Sequence, residues 1–65
     1  MSPTQFRAAL NRLGLSQVRA AKLFGVADKA ARNWASGRNR VPFTVAVLLR
    51  LLVAGAITAE DVRSE

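Results

Sequence analysis

Asp28, Lys29, Arg32, Asn33 and Ser36 stand at i, i+1, i+4, i+5 and i+8, a spacing that lines them along one side of an α-helix, while Ala30, Ala31 and Trp34 fall on the other. Such a face offers a planar guanidinium, an amide, a point charge and one carboxylate acceptor, the equipment for recognition by hydrogen bonds. Covalent chemistry is poorly provided for. The chain has neither His nor Cys, so the commonest general base, the thiolate nucleophile and the soft metal ligands are missing. Of the four carboxylates, Asp28, Glu60, Asp61 and Glu65, three fall in the last six residues, where a solvated tail or a helix start accounts for them. These residue types argue against an enzyme, a metal site or a bound cofactor, and no small-molecule ligand is expected.

Ten Lys and Arg against four Asp and Glu give a net charge of +6 and a sequence pI near 11.8. Nine of the ten basic residues and only one acid precede Thr58, so the positive charge belongs to the body of the chain. A polyanionic partner follows from this. Nucleic acid, an anionic membrane surface and an acidic protein would each satisfy it, and charge alone does not choose among them.

A chain of 65 residues has room for one domain, spanning 1–65, and buries only about 60% of its unfolded surface. Without disulfides or a metal, apolar packing or self-association must stabilise it. The most apolar stretch, Val41 to Ala59, contains Pro42, Arg50 and Gly55, which suit a membrane span badly. The N-terminus lacks a basic segment followed by an apolar one. A soluble, cytoplasmic protein is expected.

Helical periodicity recurs along the chain, and no alternating run reads as a strand. Ser2-Pro3-Thr4-Gln5 combines an N-cap, a first-turn proline and a Gln able to close a capping box, which predicts a helix from Pro3 to Leu13, with Phe6, Leu10 and Leu13 inward and Gly14 as its stop. Ser16 caps a second helix through Phe24, with Ala20, Ala21 and Phe24 inward, Gly25 ending it and Val26 plugging the turn. A third helix runs from Asp28 to Ser36 and stops at Gly37. Arg38-Asn39-Arg40 forms a basic loop, which Pro42 either closes or converts into the next helix. That fourth helix, Phe43 to Ala54, is apolar from Val45 to Val53 except at Arg50. One buried face requires fewer apolar residues. Thr58-Ala59-Glu60-Asp61 then opens a short fifth helix to about Ser64, packed by Ile57 and Val62.

The stretch from Gln17 to Ser36 therefore reads as two short helices meeting at a tight turn. Leu15-Ser16-Gln17, Ala21, Phe24-Gly25-Val26 and Trp34-Ala35-Ser36-Gly37 together resemble the signature of the phage repressor/Cro-type (XRE-like) helix-turn-helix DNA-binding family. The resemblance covers nearly the whole chain and implies a compact, all-α, five-helix, lambda-repressor-like domain. Three positions depart from the family pattern. Ala27 stands where a Ser or Thr cap is common, and Ala20 and Ala31 stand where larger aliphatics often sit; the bulk of Trp34 offsets the lost volume.

The resemblance implies that the third helix enters the major groove of double-stranded DNA, with Asp28, Lys29, Arg32 and Asn33 at base edges. Asp28 has a second reading, as an anion at the N-terminus of its own helix that offsets the missing cap at Ala27. Gln17, Arg19, Ser36, Arg38 and Arg40 become phosphate-binding candidates. Arg7, Arg12, Lys22 and Arg50 are read as solvated surface. Trp34 lies on the apolar side, so core packing is expected instead of base stacking, and Phe6, Phe24 and Phe43 are read the same way.

Proteins of this family usually bind as homodimers on half-sites one helical turn apart. Val47, Leu51, Ile57 and Val62 are the candidate interface; the plainer reading makes the fourth helix simply the core helix of a tiny domain. The function implied is a transcriptional repressor that occupies an inverted-repeat operator and regulates its own operon. Pro42-Phe43-Thr44-Val45 also resembles the small autorepressors found beside anti-CRISPR genes. Two alternatives share the sequence features: an antitoxin of the same fold, and a protein-interaction module.

Overall fold

A computed structural model describes residues 1–63. They form five helices: α1 (Pro3–Leu13), α2 (Gln17–Phe24), α3 (Asp28–Ser36), α4 (Phe43–Ala54) and α5 (Ala59–Arg63). No strand occurs among the described residues. The bounds of α1, α3 and α4 coincide with those expected from caps and periodicity; the expected end of the fifth helix, Ser64, lies outside the described residues. No helix among them is long and apolar enough to cross a membrane.

Local chemistry sets the helix ends. Ser2 Oγ accepts from the Gln5 amide at 3.1 Å while Gln5 Oε1 accepts from the Ser2 amide at 2.8 Å, a reciprocal capping box in front of Pro3. Ser16 Oγ accepts from the Arg19 amide at 3.1 Å and opens α2. Thr58 and Asp61 repeat the reciprocal pattern ahead of α5: the Thr58 amide donates to Asp61 Oδ2 at 2.9 Å and the Asp61 amide to Thr58 Oγ1 at 3.3 Å. At Gly25 the backbone turns to φ +69°, a region open to glycine, and the Val26 amide closes the corner on the Ala21 carbonyl at 3.0 Å. Pro42 is the N-cap of α4, so it opens that helix.

Only α3 and α4 lack a side-chain cap. Ala27 holds the extended geometry of an N-cap (φ −68°, ψ 150°) with no oxygen to offer, and Asp28 in the first turn is the acidic residue nearest that end. Ala27→Ser should therefore raise stability by about 1 kcal/mol, since the backbone is already in the capping conformation and the position is exposed. A higher urea midpoint with an unchanged slope would register it; an unchanged midpoint would mean the α3 amides are already satisfied.

The core is centred on α1, which packs against both α3 and α4, and α2 closes it by packing on α3. Phe6 and Leu49 are fully buried, and Trp34 meets Phe6 edge-to-face, with centroids 5.9 Å apart and planes at 84°. Ala20, Ala21 and Ala31 are also sealed from solvent. Their small side chains let α2 and α3 pack directly on each other; of the three, Ala20 and Ala31 stand at positions where larger aliphatics were expected.

Two expectations about packing are corrected. Leu23, not Phe24, is the third buried residue of α2, and Phe24 is half-buried against the core. The reason is α5, which packs on α2: Leu23 and Leu52 line a small cleft together with Ile57. Phe43, expected inside, is 78% exposed. Val41 and Val45 already fill the space on either side of the Pro42 bend, which leaves Phe43 on the outer side of α4.

Candidate nucleic-acid interface

α3 presents the expected polar face. Asp28, Lys29, Arg32 and Ser36 are exposed and Asn33 is half-buried, while Ala31, Trp34 and Ala35 are buried behind them. The burial pattern is what fixes this orientation, because Trp34 and Ala31 anchor the opposite side against Phe6 and α2. Lys29 and Arg32 supply cationic donors, and the Asn33 amide supplies a donor and an acceptor in one plane. That set can hydrogen-bond both to base edges and to phosphate oxygens.

The C-terminal end of α3 is tied down from two sides. The Asn33 carbonyl accepts from Ser36 Oγ at 3.2 Å and from the Asn39 amide at 3.2 Å, so the basic loop folds back on the helix. Ser36 Oγ also accepts from the Arg38 amide at 3.4 Å, which makes the Ser36 hydroxyl a shaper of the loop more than a free donor. Arg38 and Arg40 are exposed on that loop. From the other side, the first turn of α1 leans on Gly37: a Cβ built there would come within 3.0 Å of Pro3 Cγ, at a φ of +84° that disfavours any side chain.

Arg7 completes this clamp and was not legible in the sequence. Its Nη1 donates to the Ala35 carbonyl in the last turn of α3, and its Nη2 donates to Thr4 Oγ1 at 3.4 Å. A cation at the end of α3 also complements the helix dipole. The reading of Arg7 as plain solvated surface is thus corrected: the side chain joins α1 to α3. Nothing in the pattern of α1 announces the contact, because its partner is a backbone carbonyl 28 residues away.

Gln17 is half-buried in the first turn of α2, beside an open cleft of about 500 Å³ shared with Thr4, Arg7, Asn11 and Ser16. Arg19 is exposed two residues further on, and Arg19 and Lys22 together line a second depression, of about 540 Å³, that reaches Ala59 of α5. Asp28 is the lone acid on α2, α3 or the following loop. The face is therefore electropositive around a central polar helix.

On α4, Val45, Ala46, Leu49 and Leu52 are buried, whereas Phe43, Val47 and Leu51 fall at i, i+4 and i+8 on the side away from the core. Phe43 is 78% and Leu51 37% exposed, and Val47 is half-buried. The two readings of α4 are therefore compatible: one side is core and the other is uncovered and apolar. Phe43 belongs to the second and was missed; its i, i+4 relation to Val47 was the available signal. Ile57 and Val62 are half-buried, and Ile57 lines the cleft with Leu23 and Leu52 of its own chain.

Comparison with protein-family models, with curated proteins and with solved structures found no match.

Proposed function

We propose that this chain is a sequence-specific, double-stranded DNA-binding regulator of the phage repressor/Cro type, with α2 and α3 as its helix-turn-helix and α3 as its recognition helix. The observation that carries the reading is the exposed polar face of α3, with Lys29, Arg32 and Asn33 aligned on it, flanked by Arg19, Arg38 and Arg40. A major groove about 12 Å wide admits such a helix. Arg32 and Lys29 match guanine O6 and N7, and Asn33 matches adenine N6 and N7. Gln17 and the start of α2, with Arg38 and Arg40, hold phosphates and set the register. Asp28 balances the uncapped end of α3 and can accept from a cytosine amino group at the edge of the site.

One helix contacts few base pairs, so useful specificity requires two copies on half-sites one helical turn apart. The outer side of α4, with Phe43, Val47 and Leu51, supplies the apolar surface for an isologous homodimer. Occupation of a pseudo-palindromic operator then excludes polymerase, and an operator ahead of the protein's own operon makes the circuit autoregulatory.

Selection from a random duplex pool near physiological salt tests this. Enrichment of an inverted repeat with half-site centres about 10 bp apart is the expected result; uniform recovery of all duplexes would reduce the chain to electrostatic binding. The dimer has its own test in Leu51→Glu, which places two carboxylates in one interface at a cost of several kcal/mol. Light scattering should show a monomer where the parent is a dimer, and operator binding should weaken without loss of helical content. A parent that is already monomeric at operator-saturating concentration would rule the interface out.

A further inference from the structure

Away from α2 and α3 the chain carries an apolar groove between α1 and α4, with a volume of about 320 Å³. Ala8, Ala9, Leu49 and Val53 form its floor, and Arg12 and Arg50 line it as exposed side chains. No acidic residue lines it, and none of its residues belongs to α2 or α3. Arg50 is the single interruption of the apolar run of α4, and among the described residues no hydrogen bond accounts for it in the way that the bond to Ala35 accounts for Arg7.

We propose that this groove docks an acidic amphipathic helix of a partner protein. Alanines at Ala8 and Ala9 keep the floor low, so a helix can approach at the 8–10 Å interaxial spacing typical of packed helices. Its apolar stripe covers Val53 and the alanines, and its carboxylates meet Arg12 and Arg50. A second copy of this chain suits the groove poorly. Seated groove to groove across a two-fold axis, it would bring four guanidiniums together without an acid among them. DNA suits it less well, because Gln5, Arg12 and Arg50 stand around an apolar floor that a phosphate backbone would leave uncovered. The inference does not depend on the DNA reading, and the separation of the groove from α3 allows both partners at once.

The test is a titration of the isotope-labelled full chain with a synthetic Leu/Glu amphipathic helical peptide, followed by amide shifts, in parallel with the same peptide bearing Lys for Glu. Saturable shifts confined to Ala8, Ala9, Leu49, Val53 and their neighbours are expected with the Glu peptide and not with the Lys peptide. The double variant Arg12→Ser, Arg50→Ser should bind the Glu peptide about five- to tenfold more weakly. Both positions are exposed, so its helical content should match the parent, with a slightly lower melting midpoint from loss of the cation in the last turn of α1. A duplex added to the titration should leave peptide binding unchanged, and failure of the duplex to bind would count against the DNA reading alone. Absence of saturation, equal binding of the Lys peptide, or shifts centred on α3 would each overturn the proposal.

Discussion

Alanine at both Arg32 and Asn33 should lower affinity for the selected operator by about 2–6 kcal/mol, from roughly 1–3 kcal/mol for each base contact, while binding to a scrambled duplex falls far less. The fold should survive the change. Arg32 is exposed, and what Asn33 contributes to the loop is its backbone carbonyl, which accepts from Ser36 and Asn39 and is retained by alanine. The contrast is the pair Arg38→Ala and Arg40→Ala, which removes phosphate contacts. Affinity should then drop about equally for both duplexes, and the salt dependence should become shallower by roughly one phosphate per residue. Fluorescence anisotropy over a range of salt separates the two outcomes. A double Arg32, Asn33 variant that keeps the parent ratio of operator to scrambled affinity would remove α3 as the reader.

The largest effect on stability is expected at Trp34. Trp34→Ala should cost about 3–5 kcal/mol, because it removes a buried ring and leaves a cavity that three helices must collapse to fill. A chain of this length has on the order of 3–10 kcal/mol in total, so the variant should be largely unfolded at 37 °C. Its neighbours explain why the void would not close easily. Ala31 and Ala35 are already small, Phe6 is held edge-to-face against the ring, and Met1 at the rim could fill only part of the space. Trp34→Phe keeps a ring against Phe6 and should lose much less. Circular dichroism with urea unfolding distinguishes them; a near-parental midpoint for the alanine variant would show that the core is centred elsewhere.

These two predictions address opposite sides of one helix, and that is how the fold serves the site. Trp34, Ala31 and Ala35 hold α3 against α1 and α2, so Lys29, Arg32 and Asn33 project from a fixed rod. Arg7 and Pro3 secure its last turn, and the Ser36 and Asn39 hydrogen bonds position the loop bearing Arg38 and Arg40. Side chains held this way lose less rotational freedom on binding than they would on a loop, so more of each contact appears as affinity.

By itself the sequence determined the number of helices, their boundaries and the polar side of α3. Those features rest on interactions that close within about four residues: the Ser2–Gln5 box, the Ser16 hydroxyl on Arg19, the positive φ of Gly25 and the i, i+4 repeat of apolar side chains. Only the tertiary structure decided how the helices share their surfaces. The Arg7 bond to Ala35, the exposure of Phe43, the burial of Leu23 in place of Phe24 and the groove flanked by Arg12 and Arg50 all depend on the angle and separation at which one helix meets another. A stretch such as Val45–Val53 is apolar on every side but that of Arg50, so its periodicity excludes one direction without choosing the core face, and packing against α1 makes that choice.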